Sequence, residues 1–275
     1  MPEPLNGAPL PRGWRDRVVA VAWPAAAGLL SGLLLLLVLL PIAGLLFASP
    51  LGKLLRGLSD PHVGPAIRLS LATTIASLIV IVACGTPLAW AIARRRGGIW
   101  RVLETVIELP VVLPPAVAGV ALLLAFGRRG LLGPGLTAVG IGLPFSSAAV
   151  VLAQSFVAAP FYVQAAIAAF RRLDGDLVLV ARTLGASWPR VFFTVAVPLS
   201  WPALAGGAAL SWARALGEFG ATLMFAGNQV GRTQTLPLKI YVALESNLQT
   251  AQSLSIILVA VAFALLMAVR AGARR

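Results

Sequence analysis

Few side chains in this 275-residue sequence are equipped for chemistry. There is one histidine, His62, and one cysteine, Cys84. That pair excludes a disulfide framework and any Cys/His zinc cluster. A Ser-His triad would have to use His62, which lies in the loop Ser59-Asp60-Pro61-His62-Val63-Gly64-Pro65. No G-x-S-x-G and no G-x-x-x-x-G-K-[ST] occurs. The chain therefore does not hydrolyse ATP through a P-loop of its own. What remains is charge within apolar sequence. Arg214 and Glu218 are spaced i, i+4, so they pair on one helix face. At membrane depth such charges usually face a bundle interior or water. Two readings stay open: an element of a pathway or gate, or an ion pair that pins its helix to the neighbours. Glu104 and Glu108 share a helix face beside Arg101 and read as interfacial charges rather than an acid/base pair. The Arg94-Arg95-Arg96 run reads as a topology signal. No catalytic residue, metal set or cofactor motif is visible.

The elements that must position these charges follow from composition. The apolar set makes up 59% of the chain and charged residues 11%, with mean hydropathy +0.92. Ordinary globular proteins carry roughly 25% charged residues. The net charge is +13, a surplus that a soluble nucleic-acid binder would share, but not together with so few charges. The expectation is an all-α integral membrane protein with its basic residues in loops.

Six segments are long and apolar enough to cross a bilayer: 18–48, 69–93, 102–126, 146–170, 191–226 and 246–269. The first exceeds a signal-peptide core and has no clean cleavage site, so it reads as an uncleaved helix. The fifth is too long for one simple span and is expected to bend or end near Gly217–Gly220. Placing both termini in the cytoplasm puts 14 of the 22 Lys and Arg inside, including Arg12, Arg15, Arg17, Arg94, Arg95, Arg96, Arg101, Arg171, Arg172, Arg274 and Arg275. Lys53, Arg56 and six others fall outside. The loop 127–144 is rich in Gly and Pro. A short helix over 236–244, with Pro237 in its first turn, is expected at the membrane surface. Pro110, Pro114 and Pro115 leave carbonyls unpaired within a span, as a kink or as part of a water-lined path.

The cytoplasmic stretch 171–190 holds a short, unusually apolar helix. Asp174 or Asp176 caps a helix beginning near Leu177. Gly185 ends it in the left-handed conformation, and Trp188-Pro189 starts a new direction. An apolar helix in water needs a partner, or must fold back under its own bundle.

Here the residues resemble the "EAA" loop of ABC-importer permeases. Ala181-Arg182-Thr183-Leu184-Gly185-Ala186, then Phe192 and Val197-Pro198, follow that pattern. Leu179 and Val180 stand where the motif has Glu and Ala, which implies a more apolar contact. The resemblance implies that Val180, Ala181, Arg182, Thr183, Leu184, Gly185 and Ala186 form a coupling helix docking on an ATPase subunit. Leu109-Pro110-Val111-Val112-Leu113-Pro114-Pro115-Ala116-Val117-Ala118-Gly119 is similar to a signature of molybdate permeases. So are Gly127-Arg128-Arg129-Gly130, Ala213-Arg214-Ala215-Leu216-Gly217-Glu218-Phe219-Gly220-Ala221-Thr222, Gly227-Asn228 and Thr233-Gln234-Thr235-Leu236-Pro237. The similarity runs from about Arg68 to the C-terminus and marks the molybdate/tungstate and sulfate permease group, leaning toward molybdate.

That resemblance implies a type I, MetI-like permease: one transmembrane domain over 1–275, about six helices, a coupling loop near 171–190 and a periplasmic segment near 227–250. It further implies a homodimer in the bacterial inner membrane. Two ATPase subunits, which use ATP and Mg, would bind inside, and a periplasmic or extracellular oxyanion-binding protein outside. Lipid surrounds it, and no nucleic acid is involved. Pro114, Pro115, Ser211, Arg214, Gly217, Glu218, Gly220 and Thr222 are the expected path or gate residues. The rivals are a sulfate or tungstate permease of the same group, an intramembrane enzyme, and an ion-coupled secondary carrier using Glu218.

Overall fold

The computed structural model describes residues 12–47, 50, 52, 60–95 and 97–272. Ala48, Lys53, Arg56, Ser59, Arg96, Arg274 and Arg275, singled out above, lie outside the described residues. Every regular element among the described residues is helical. Contacts divide the chain into two units, Met1–Pro50 and Leu51–Arg275. The first holds a single helix, α1 (Arg12–Phe47), with Pro24 and Pro41 inside it. Its stretch Ala26–Phe47 is long and apolar enough to span a bilayer.

The second unit begins with α2 (Val63–Arg94), α3 (Gly98–Val112), α4 (Pro115–Phe126), α5 (Gly133–Ala138) and α6 (Ser147–Arg171). It continues with α7 (Gly175–Thr183), α8 (Trp188–Leu216), α9 (Gly220–Ala226), α10 (Leu236–Ser246) and α11 (Leu248–Gly272). α2, α6, α8 and α11 are each long and apolar enough to span. The expected single helix over 102–126 is instead two helices, α3 and α4, whose axes differ by 119°. The cause is Pro114, which has no N–H to continue the ladder and holds Leu113 in an extended conformation at ψ 131°. The broken pair still advances along α6. Glu104 of α3 meets Arg171 and Glu108 meets Gln164. Ala118 and Leu122 of α4 cluster with Ala149, Val150, Ala153 and Val157, nearer the start of α6. Both halves therefore pack on α6, on either side of the 119° corner.

The packing is that of helices in lipid, where small residues and hydroxyls, not greasy bulk, bring helices together. Ala89, Ala158, Ala166, Ala196 and Ala215 share one cluster with Tyr162, Ile167 and Phe170. Hydroxyls from a buried stripe on α2 bridge its neighbours. Ser77 Oγ donates to Val151 O at 3.1 Å, Thr74 Oγ1 accepts Trp212 Nε1 at 3.0 Å, and Ser70 Oγ accepts Leu236 N–H at 2.6 Å. Thr86 and Tyr162 hydroxyls meet at 2.6 Å. α8 carries a π turn at Phe192–Ala196, just before Pro198. The wider turn absorbs the hydrogen bond that Pro198 cannot donate. α8 then ends at Leu216, with Gly217 as its cap, where the sequence placed a break.

α10 forms over the expected residues with Pro237 in its first turn. It is tied to the bundle by an ion pair between residues far apart in the chain. Lys239 Nζ donates to Asp60 Oδ2 at 2.8 Å. That bond, and the His62 N–H donating to Oδ1, hold the Asp60 carboxyl below its ordinary pKa.

Candidate functional site

α7 follows its sequence closely. Asp174 Oδ1 accepts the Asp176 N–H at 2.9 Å and caps the helix start. At the other end Gly185 takes φ +83°. Ala186 N–H reaches Ala181 O and Gly185 N–H reaches Arg182 O, both at 3.0 Å. These are the paired bonds of a Schellman end, which need a left-handed residue where Gly185 sits. Arg182 Nη1 donates to Ala186 O at 2.6 Å and fastens the same turn. Its guanidinium also lies over the Trp188 ring, 4.6 Å from the centroid, and Arg94 lies over that ring at 4.0 Å. Trp188 therefore links the α7 turn to the end of α2 through two cation–π contacts. Arg94 is thus more than a topology signal. Nothing in the spacing of residues 94, 182 and 188 announces this stack, although an unpaired Trp among arginines was a cue.

Only Val178 of α7 is buried. Leu177, Leu179 and Val180 are about half exposed, and Leu184 is 82% exposed. Together with the exposed Thr183, Gly185 and partly covered Ala181 and Ala186, they form a rigid apolar ridge. The helix does not fold its apolar side back under the bundle. Beside it, Glu104 binds Arg171 through both carboxylate oxygens, at 2.9 and 2.7 Å, and Glu108 accepts from Gln164. Glu104 thus pairs across to α6, not with its neighbour Arg101.

A second group gathers where α8 breaks. Arg214 Nη2 and Glu218 Oε2 are 2.9 Å apart. The Glu218 side chain is 1% exposed and that of Arg214 29%. The other oxygen, Oε1, accepts the Ala221 N–H at 2.8 Å. One carboxylate therefore holds the last turn of α8 and the first turn of α9 across Gly217. α4 meets this junction. A Cβ added to Gly220 would lie 2.5 Å from Pro115 Cβ, so only glycine lets the two helix starts touch. Pro114, at the corner between α3 and α4, completes the group. Pro114, Pro115 and Gly217 are exposed and Arg214 and Gly220 partly so. The two hydroxyls stand apart from them. Ser211 is buried and donates to Ala158 O at 2.8 Å. Thr222 is fully buried, and its Oγ1 has no hydrogen-bond partner among the described residues. No group of three or more potential metal ligands occurs among the described residues.

The chain is similar to known proteins. The family of binding-protein-dependent transport system inner membrane components matches residues 85–274. The molybdenum transport system permease protein ModB of Mycobacterium bovis is 46% identical over 217 residues, covering 79% of this chain and 81% of that protein. Its counterpart in Escherichia coli K12 is 39% identical, covering 69% and 82%. The probable transport system permease protein NifC of Clostridium pasteurianum is 37% identical, covering 89% and 86%. Among solved structures, a bacterial ABC transporter that imports the acidic polysaccharide alginate aligns with TM-score 0.73 at 17% identity, over 96% of this chain and 99% of that one. The methionine ABC transporter MetNI, in inward-facing form, aligns with TM-score 0.62 at 19% identity, over 78% and 98%. Both structures share the fold.

Proposed function

This chain belongs to the binding-protein-dependent transport system inner membrane components, among the molybdenum transport permeases, and from that premise we propose that it forms the path by which an ABC importer admits molybdate. It is a multi-pass membrane subunit and not an enzyme. Two copies would form the path between them. Two ATPase subunits, which use ATP and Mg, would dock at the α7 ends and supply the energy of ATP hydrolysis. An oxyanion-binding protein would deliver the ion at the opposite side. The topology that fits places both termini and the 171–190 loop in the cytoplasm of a bacterial cell, and the 227–250 segment outside the inner membrane.

The observation that carries this reading is α7. A capped helix, locked at both ends and exposing Leu177, Leu179, Val180 and Leu184, is built to be covered by another protein. The absence of the motif's glutamate fits an apolar contact. For the path, the support is the junction of Pro114, Pro115, Arg214, Gly217, Glu218 and Gly220, with Ser211 and Thr222 packed behind it. Conduction requires binding weak enough to release the ion. A lone Arg214, offset by Glu218, meets that requirement better than a ring of free arginines. Sulfate and tungstate fit the same junction, and the preference among them rests on the named relatives.

Co-expression with the cognate ATPase subunit tests the docking. A stable complex should purify from wild type. Changing Leu179 and Leu184 together to Asp should abolish it and leave the permease folded. A complex that survives this double change would refute α7 as the docking element.

A further inference from the structure

Beneath the start of α7 lies a cavity of about 740 Å³ between the ends of α2, α3 and α6. Arg94, Arg95, Arg101 and Arg171 line it, against one carboxylate, Glu104. Glu104 is already committed to Arg171. Arg94, Arg95 and Arg101 have no acidic partner among the described residues; Arg94 and Arg95 lie instead over the rings of Trp90 and Trp100. Trp90 also forms a wall of a second space, an apolar groove of about 330 Å³ bounded by Pro87, Trp188, Phe192 and Phe193. A cationic chamber and an apolar groove thus share one tryptophan at the end of two spanning helices.

We propose that this pair of cavities binds one anionic phospholipid, its phosphate among Arg94, Arg95 and Arg101 and an acyl chain in the groove beside Trp90. Three observations select that occupant. The unpaired guanidinium groups call for an anion, and arginine is suited to phosphate. Trp and Arg at the ends of spans sit at headgroup level. The adjoining groove is apolar, so a free oxyanion would satisfy the arginines and leave it empty. Basic pockets between spanning helices on the cytoplasmic side hold acidic headgroups by this chemistry. The leaflet rests on the topology proposed above, but the site does not. Because Gly175 and Val178 of α7 also line the chamber, the lipid would brace the docking helix from below.

The test is native mass spectrometry of the purified permease, alone and with its ATPase subunits, in mixed micelles of phosphatidylglycerol and phosphatidylcholine. Phosphatidylglycerol should be retained preferentially in both preparations. Arg95→Gln with Arg101→Gln should lower its retention by roughly 30-fold, the equivalent of about 1 kcal/mol for each arginine near the surface. Glu104→Gln removes the chamber's carboxylate and frees Arg171, so it should raise retention. That opposite sign keeps the test decisive if the double variant folds poorly. Millimolar inorganic phosphate or molybdate should leave the lipid in place. Equal retention of the two lipids, or loss of the lipid to free phosphate, would overturn the proposal. So would a double variant that folds and binds as wild type, or expulsion of the lipid when the ATPase subunits assemble. None of these results bears on ATP-driven uptake, which tests the transport reading separately.

Discussion

Gly185→Val should cut ATP-driven uptake by about 5- to 30-fold, the population loss that corresponds to roughly 1–2 kcal/mol of strain for a side chain in the left-handed region. The residue holds φ +83° and its N–H closes one of the two Schellman bonds. A Cβ there meets nothing within 4 Å, so the cost is conformational and not steric. The bundle should therefore fold normally while the last turn of α7 loosens and the 182–186 turn loses its shape. Gly185→Asn tolerates a positive φ and should retain most uptake. The measurements are uptake and ATPase activity of the reconstituted complex, with the melting temperature of the permease as a control. Unchanged uptake in Gly185→Val would remove the docking role from this turn.

Glu218→Gln should have the larger effect on stability. It leaves Arg214 facing an amide whose N–H2 cannot accept, in a site where the carboxylate is 1% exposed. Breaking a fully buried pair from one side costs about 3–5 kcal/mol, and because Arg214 keeps 29% exposure the cost should fall at or below the lower end of that range. The double change Arg214→Gln plus Glu218→Gln lets residue 218 keep accepting from Ala221 while the two amides pair. It should regain most of the lost melting temperature. Glu218→Ala should be worst, because it forfeits the bond to Ala221 as well, which is worth about 1 kcal/mol. Uptake separates the two roles left open by the sequence. If Arg214 also serves the ion, the double variant should fold yet transport about tenfold more slowly, the equivalent of about 1.4 kcal/mol in barrier height. Recovery of uptake together with stability would make the pair a structural pin and take it out of the path.

These residues also show how far a sequence can be read. α7 was legible to within a few residues because local chemistry sets its limits: an aspartate to cap, a glycine to end, a Trp-Pro to restart. The break after Leu216 was legible because 191–226 exceeds the length of a simple span and is interrupted by Arg214 and Glu218 and by Gly217 and Gly220. At Pro114 a kink was legible from the prolines but not its size, because the apolar run continues past the corner to Phe126 while the backbone turns by 119°. Tertiary pairings were least legible. Arg101 is the sequence neighbour of Glu104, yet Arg171 of α6 is its partner. Asp60 and Lys239 are far apart in sequence, and their pairing depends on how α10 lies against α2. Ser211 and Thr222 looked available for an ion because hydroxyls at membrane depth invite that reading. The fold buries both, and Ser211 is spent on holding α6.

Molybdate should move inward through this chain only when an ATPase drives it. The direct measurement is elemental uptake into proteoliposomes that contain the permease, its ATPase and its binding protein, with molybdate, tungstate and sulfate offered in competition. Molybdate and tungstate should accumulate only with ATP, each suppressing the other, and sulfate should enter poorly. Robust sulfate uptake that excess molybdate leaves untouched would contradict the substrate, and uptake of any of the three without ATP would contradict the mechanism.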